Sequence, residues 1–100
     1  MTIRFDNYAK KAGRRGSNDW YQWRIFVNEN EAVLDKIDYV SYILHPTFPN
    51  PIRIVRDRES KFALESAGWG SFTMFITIRF KDGTEQEVRY FLDLGKKWPD

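Results

Sequence analysis

Hydrophobic and polar residues alternate along much of this chain, most clearly in its C-terminal third. From Phe72 to Phe80 every second residue is apolar, and the residues between them are mainly Thr or Arg. Because successive side chains of a strand point to opposite faces, this period predicts a half-buried strand. Asp82-Gly83 follows and is expected to supply the positive backbone angles of a two-residue hairpin turn. The chain should then return as a second strand, Gln86 to Leu94.

The same period recurs upstream. Four further segments are predicted as strands: Trp20 to Val27, Ile37 to Leu44, Ile52 to Val55 and Lys61 to Glu65. Ile3 to Tyr8 is expected to add an edge strand, and Glu31 to Lys36 a single helical turn. Short strands joined by short loops in a chain of 100 residues predict an all-β fold. We expect an immunoglobulin-like antiparallel β-sandwich of about seven to eight strands.

Composition limits what the chain can be. With 42% hydrophobic and 30% charged residues it predicts one globular domain, residues 1–100. It has no cysteine and one histidine, which excludes a disulfide framework and thiolate metal sites, so neither a metal nor another cofactor is expected. No run approaches the roughly 18 apolar residues of a membrane span, and a signal peptide is not expected. A cytoplasmic location is the default, or a nuclear one in a eukaryotic cell.

Positive charge is concentrated near the N-terminus. The formal net charge is +2, yet residues 1–16 contain five Lys or Arg residues against a single acidic residue, Asp6. Clustered cations neutralise phosphate groups, so weak nucleic-acid contact through this segment is one interpretation. The other is a solvated loop or terminus, because the cluster is short and is interrupted by Ala12 and Gly13. We expect the solvated loop and keep nucleic-acid contact as a side hypothesis.

A proline-rich loop follows the predicted strand that ends at Leu44. Its sequence, His45-Pro-Thr-Phe-Pro-Asn-Pro51, contains three prolines, which leave the backbone few accessible states. Thr47 and Phe48 would therefore lose little entropy on binding a ligand. Two interpretations of Phe48 stay open: its ring is displayed for recognition, or it folds inward and caps the sandwich.

A second unusual loop precedes the strand that begins at Phe72. Gly68 and Gly70 flank Trp69 and leave its backbone N–H unobstructed by neighbouring side chains. This arrangement favours a displayed indole, and an indole that caps the open end of the core is the alternative.

Together the two loops provide two aromatic faces, a hydroxyl, an imidazole and a backbone N–H. A planar amide can stack between two rings, while its carbonyl needs a donor and its N–H needs an acceptor. A charged lysine fits poorly, because its ammonium would lose hydration and neither loop contains a carboxylate. The residues therefore predict a slot for a flat, neutral, amide-like group such as an acylated lysine.

At these residues the chain resembles the YEATS family, whose members read acylated lysine. The resemblance runs from about Trp23 to Leu94. It rests on leucine-histidine-x-threonine-aromatic at Leu44 to Phe48 and on glycine-tryptophan-glycine-x-phenylalanine at Gly68 to Phe72. It implies an immunoglobulin-like β-sandwich, in agreement with the strand pattern. The chain is shorter than typical nuclear members and is more similar to a compact prokaryotic branch, in which histones need not be the target.

The resemblance implies roles for four residues of the slot. Phe48 and Trp69 would sandwich the acyl-amide between their rings. The Thr47 hydroxyl would bond the amide, and His45 would line the slot and orient that hydroxyl. The backbone N–H of Trp69 would donate to the amide carbonyl.

The resemblance also implicates two glycines and a further aromatic residue. Gly68 and Gly70 would shape the loop around Trp69. The family usually places another aromatic a few residues ahead of the position of Trp23, and here Trp20 is the nominated substitute.

Our leading prediction is a monomeric, non-catalytic module that binds an acylated lysine of acetyl or crotonyl type. Phe48 and Trp69 should then lie parallel, about 7 Å apart. The alternative is a structural or adaptor domain with a decayed slot, in which Phe75 and Phe91 form a protein-binding patch unless a terminal segment covers them. Catalysis is not expected, because no nucleophile elbow accompanies His45. A carbohydrate site is disfavoured, because the loops offer few side chains that bond sugar hydroxyls.

Overall fold

Two β-sheets enclose a common core in the computed structural model, which describes residues 2–99 except for the side chain of Arg15. The elements follow in chain order: β1 (Phe5–Arg15), β2 (Asn18–Val27), α1 (Glu31–Leu34), β3 (Ile37–Ile43), β4 (Ile52–Val55), a 3₁₀ turn (Arg58–Ser60), β5 (Leu64–Gly68), β6 (Thr73–Phe80) and β7 (Glu85–Phe91). One antiparallel sheet has the order β1-β2-β5, and the other has the order β4-β3-β6-β7. This is the predicted antiparallel β-sandwich.

The predicted alternation fills the space between the sheets. In β2 the side chains of Trp23, Ile25 and Val27 are fully buried, while their neighbours along the strand are half-buried. In β6 the buried residues are Met74 and Ile78, together with the isoleucine between them. Since fully burying a large apolar side chain contributes roughly 1.5–3 kcal/mol, these alternating positions supply much of the stability of the sandwich.

Of two predicted turns, one has the expected form and one differs. The single helical turn is present as α1, and Asn30 caps it by accepting a hydrogen bond from the Val33 N–H at 3.0 Å. At the β6–β7 turn only Gly83 among residues 81–84 has a positive φ, +91°. The Asp82 carboxylate instead accepts hydrogen bonds from the N–H and the hydroxyl of Thr84, at 2.9 and 2.6 Å. The turn therefore has one residue with a positive φ, Gly83, whereas both Asp82 and Gly83 were expected to contribute positive angles.

The predicted strand Lys61 to Glu65 lies three residues too early. Lys61 ends the 3₁₀ turn in the left-handed conformation with φ +61°, and Phe62 follows with φ +55°. The Phe62 N–H donates to the Asp57 carbonyl at 2.9 Å, and its side chain turns into the core. A strand cannot pass through two left-handed residues, so β5 begins only at Leu64.

The basic N-terminal segment is a strand, which contradicts the expected solvated loop. β1 pairs with β2 along its whole length and extends to Arg15, well beyond the predicted end at Tyr8. A bulge at Gly13, with φ +138°, absorbs the break in the pattern. Asp19 on β2 forms ion pairs with Lys11 and Arg14 across the hairpin. Pairing with β2 supplies the order that the local sequence does not indicate.

The outer face of the four-stranded sheet carries an exposed apolar row. Phe75 and Phe91 are 50% and 63% exposed, so the described chain does not cover them. Ile43 pairs with Ile52 on one side and with Phe75 on the other, and both isoleucines are exposed. The C-terminal segment instead lies along β1, where the Trp98 N–H donates to a β1 carbonyl.

A buried asparagine ties β1 to the far end of the chain. Among residues 2–99, Asn7 is the polar residue that is completely buried. Its side-chain N–H donates to the Asp93 carbonyl at 2.9 Å, and its side-chain oxygen accepts from the Tyr90 hydroxyl at 2.6 Å. The same oxygen accepts from the Asp93 N–H at 3.2 Å. Asn7 therefore joins an edge of one sheet to the strand that ends the other.

We predict that Asn7→Ala lowers the free energy of unfolding by about 2–3 kcal/mol, because it leaves buried partners without hydrogen bonds. Asn28 is exposed, and Asn28→Ala should change stability by less than about 0.5 kcal/mol. Urea unfolding of both variants measures the difference. Equal stability of the two variants would contradict the role of Asn7.

One buried tyrosine, Tyr42, and one half-buried tyrosine, Tyr90, predict the alkaline stability of the fold. Burial raises the pKa of Tyr42, and burial together with the nearby Asp6 and Asp93 carboxylates raises the pKa of Tyr90 to about 12. Above the unfolded pKa of about 10, the unfolded chain loses these protons first. Stability should therefore be intact below about pH 10 and fall as the pH rises through 12. Urea unfolding at about pH 9 and about pH 11 tests this, and Tyr90→Phe should show the shallower fall.

Candidate functional site

The two unusual loops meet at one end of the sandwich, where they line a cavity of about 560 Å³ that we call the slot. They lie together because β3 ends where the antiparallel β6 begins. All seven residues predicted from the sequence line the slot: Trp20, His45, Thr47, Phe48, Gly68, Trp69 and Gly70. The structure therefore brings together residues that lie up to 50 positions apart in the chain.

Hydrogen bonds hold the proline-rich loop in one shape. The Phe48 N–H donates to the His45 carbonyl at 2.9 Å. Arg53, on β4, donates from Nε to the Asn50 carbonyl at 2.6 Å and from Nη2 to the Pro49 carbonyl at 2.8 Å. The stiffness expected from the prolines is thus reinforced by a guanidinium that binds two loop carbonyls.

Both interpretations of Phe48 are partly right. Its ring is half-buried and contacts Trp23 edge-on, with centroids 6.3 Å apart, and Phe72 at 5.3 Å. The same ring also lines the slot. Phe48 is therefore an inward-packed ring that still forms part of the slot wall.

The Trp69 side chain, unlike that of Phe48, is exposed. Its exposed fraction is 63%, and within residues 2–99 it makes no ring contact with Phe48. The two rings are thus not collapsed onto each other. Their parallel arrangement about a ligand stays a prediction.

Gly68 permits the close approach of Phe48. A Cβ atom on Gly68 would lie 3.3 Å from Cζ of that ring, whereas a Cβ atom on Gly70 would meet nothing within 4 Å. Gly68 also makes the last pair of the β2–β5 ladder, with Tyr21. Trp69 is the next residue, so its backbone N–H lies beyond the ladder pairs.

The Thr47 hydroxyl has a defined orientation. Its oxygen lies 2.9 Å from Nδ1 of His45, and the Thr47 backbone N–H donates to the same nitrogen at 3.3 Å. Since a backbone N–H can only donate, Nδ1 carries the lone pair and the hydroxyl hydrogen points toward it. The Thr47 oxygen is left with lone pairs that can accept a hydrogen bond from a ligand.

The slot also contains residues that sequence reasoning did not nominate. Phe72 was predicted only as a strand residue, yet it contacts Phe48 and His45 and lines the slot. Arg53 lines it too and is the single Lys, Arg, Asp or Glu residue of the described wall. The sequence could have indicated Arg53, because it stands two residues after Pro51. A basic side chain at that position can turn back toward the loop carbonyls.

Two negative findings apply to residues 2–99. No three His, Cys, Asp or Glu side chains are grouped as metal ligands would be. No helix in this range has the length and apolar character of a membrane span.

Comparison with curated proteins finds relatives at about one third identity. The chain is 32% identical over 96 residues to the protein AF-9 homolog of Eremothecium gossypii, covering 89% of this chain and 45% of that protein. The chain therefore spans less than half the length of this relative.

Solved structures show the same fold. The Yaf9 YEATS domain recognizing an H3K122suc peptide superposes with a TM-score of 0.71 at 26% identity, covering 95% of this chain and 78% of that one. The Yaf9 YEATS domain bound to H3K27ac gives a TM-score of 0.68 at 25% identity, covering 94% and 77%. The family model of the prokaryotic YEATS domain matches residues 21–93. The chain therefore belongs to the prokaryotic YEATS domain family, with the immunoglobulin-like sandwich that its sequence predicts.

Proposed function

We propose that this domain binds an acylated lysine side chain in the slot between its two loops. The observation that carries the proposal is the convergence of the predicted aromatic, hydroxyl and glycine residues on one open cavity. Relatives of known structure support the class of ligand, since Yaf9 YEATS domains are described with H3K122suc and H3K27ac peptides. YEATS domains are non-catalytic binding modules, as predicted for this chain.

In our proposal the two rings have different tasks. Phe48 is fixed by its packing against Trp23 and Phe72, so it provides a rigid floor for the acyl-amide plane. The exposed Trp69 ring closes over the other face, and Trp20 adds apolar surface to the slot wall. Each ring contact contributes roughly 0.5–1.5 kcal/mol beyond its buried area.

The amide group needs one acceptor and one donor. The Thr47 oxygen is suited to accept its N–H, because the hydroxyl hydrogen is directed to His45. The Trp69 backbone N–H, which lies past the last ladder pair, is suited to donate to its carbonyl. Neutral hydrogen bonds of this kind add about 0.5–1.5 kcal/mol each.

Selection against unmodified lysine follows from the charges of the slot. None of the described residues that line it is Asp or Glu, and the Arg53 guanidinium has the same sign as an ammonium group. A free lysine would lose hydration there without an ion pair to compensate. We propose acetyl or crotonyl lysine as the ligand, bound with about −4 to −7 kcal/mol, roughly millimolar to ten micromolar.

The adaptor alternative depends on a decayed slot. A decayed slot would be filled by its own rings, whereas Trp69 is exposed and lies out of ring contact with Phe48 in the described chain. We therefore favour ligand binding at the slot. Three expectations stay predictions: a monomeric state, a cytoplasmic or nuclear location, and weak nucleic-acid contact by the basic segment.

We predict that Trp69→Ala weakens binding of acetyl- and crotonyl-lysine peptides at least about tenfold, because it removes one stacking face. Phe91→Ala is a matched control, since Phe91 is an aromatic residue with the same 63% exposure on the outer sheet face. Titration of both variants and the unmodified peptide, followed by NMR, measures the effect. Equal binding by wild type and Trp69→Ala would contradict the proposal.

Gly68→Ala tests the close approach of Phe48. We predict about fivefold weaker acetyl-lysine binding, because the new Cβ pushes the Phe48 ring into the slot. A double-mutant cycle with Phe48→Leu should show coupling of about 1 kcal/mol in the free energy of unfolding, since a smaller side chain relieves the contact. Additive effects of the two substitutions on unfolding would show that the ring does not mediate the loss.

A further inference from the structure

A second cavity, of about 360 Å³, has three lysines in its wall and, like the slot, is lined in part by β2. Lys10 and Lys11 contribute from β1, Tyr21 from β2, and Lys97 and Trp98 from the C-terminal segment. We call this cavity the basic groove. It holds three of the 16 Lys and Arg residues of the chain, and none of the described residues that line it is Asp or Glu.

The basic groove and the slot share one strand. Trp20 lines the slot and Tyr21 lines the groove, but adjacent side chains of a strand point to opposite faces, so the ladder pairs relate the two cavities. Across the sheet, Gly68 of the slot pairs with Tyr21, and Tyr21 pairs with Lys11. Two strand spacings separate the backbones of Gly68 and Lys11, which is about 10 Å. An extended peptide crosses that distance in about three residues.

The groove is held in shape by the C-terminal segment. The Ala9 N–H donates to the Lys96 carbonyl at 2.7 Å, and the Trp98 N–H donates to the Ala9 carbonyl at 3.2 Å. The Lys10 ammonium lies 4.7 Å from the centre of the Trp98 ring. These contacts fix two sides of the groove before any partner binds.

The described cations around the basic groove outnumber the described carboxylates near them. Asp19 is paired with both Lys11 and Arg14, and the side chains of these two cations are 60% and 71% exposed. Lys10 and Lys97 add to the same surface.

Two further carboxylates belong to this region. Among the described residues, Asp6 pairs with Lys96, whereas the Asp93 carboxylate keeps its charge and accepts the N–H of Gly95, a residue of the groove wall, at 2.9 Å. Counting only the described side chains of this region, five cations (Lys10, Lys11, Arg14, Lys96 and Lys97) face three carboxylates (Asp6, Asp19 and Asp93), and Arg53 on the slot wall is also positive.

We propose that the acylated lysine bound by this domain belongs to an acidic segment of its partner protein, with Asp or Glu side chains within about three residues. The inference rests on the proposed function of the slot, and it specifies the sequence around the lysine. Carboxylates beside the acylated lysine would form exposed ion pairs with Lys11 and Lys97. A flank rich in lysine and arginine would be repelled by the same two side chains.

Acetyl-lysine peptides of one length, with Asp and Glu, Asn and Gln, or Lys and Arg beside the modified residue, test the proposal. At low salt the acidic peptide should bind about tenfold more tightly than the basic one, and added salt should reduce the ratio. Lys11→Gln with Lys97→Gln should reduce the ratio to about threefold or less. The matched control, Lys36→Gln with Lys81→Gln, removes two exposed lysines outside the groove and should keep the full ratio.

The outcomes separate the two proposals. Equal or tighter binding of the basic peptide, with acetylation still required, would overturn the inference and leave the proposed function standing. Binding that ignores acetylation would overturn the proposed function itself. Tighter binding of a short DNA or RNA duplex than of the acidic peptide, lost in the Lys11 and Lys97 variant, would assign the groove to nucleic acid and also overturn the inference.

Discussion

The packing of Phe48 against the core is the interaction on which the site depends. Its ring rests on Trp23 and Phe72, and it approaches Gly68 so closely that a Cβ atom there would lie 3.3 Å away. One side chain thus connects the proline-rich loop to β2, to the end of β5 and to the start of β6. Because the ring is fixed by the core, it keeps its place in the slot wall without a ligand, while the Trp69 side chain is exposed beside it.

Hydrogen bonds within the protein also hold the polar groups of the slot in place. Arg53 ties down two loop carbonyls, and the His45 ring directs the Thr47 hydroxyl, so the polar groups are arranged before binding. Preorganisation lowers the entropy lost on binding, which matters for a ligand that presents only one small planar group. In our proposal the exposed lysines of the basic groove favour acidic partners, and added salt weakens that preference.

Period-two patterning predicted the sandwich and most strand positions, because burial between two sheets imposes that period directly. The seven residues nominated for the slot do line one cavity, since glycine and proline loops sit at strand ends, and their binding roles stay a prediction. What the pattern missed depends on contacts across the fold. Lys61 and Phe62 take left-handed conformations in which their carbonyls accept hydrogen bonds from the Val27 N–H and the Tyr42 hydroxyl, and the long β1 is ordered by its partner strand. Neither cause is visible in a local window of sequence.

The central claim is that the slot between the two loops recognises the acyl-amide. Its most direct test is a ¹H–¹⁵N NMR titration of the domain with an acetyl-lysine peptide. The account predicts that the largest shifts fall on Thr47, Phe48 and the Trp69 backbone N–H, and that the unmodified peptide leaves these signals in place. Shifts concentrated on the outer sheet face around Phe75 and Phe91, or equal shifts with both peptides, would contradict it.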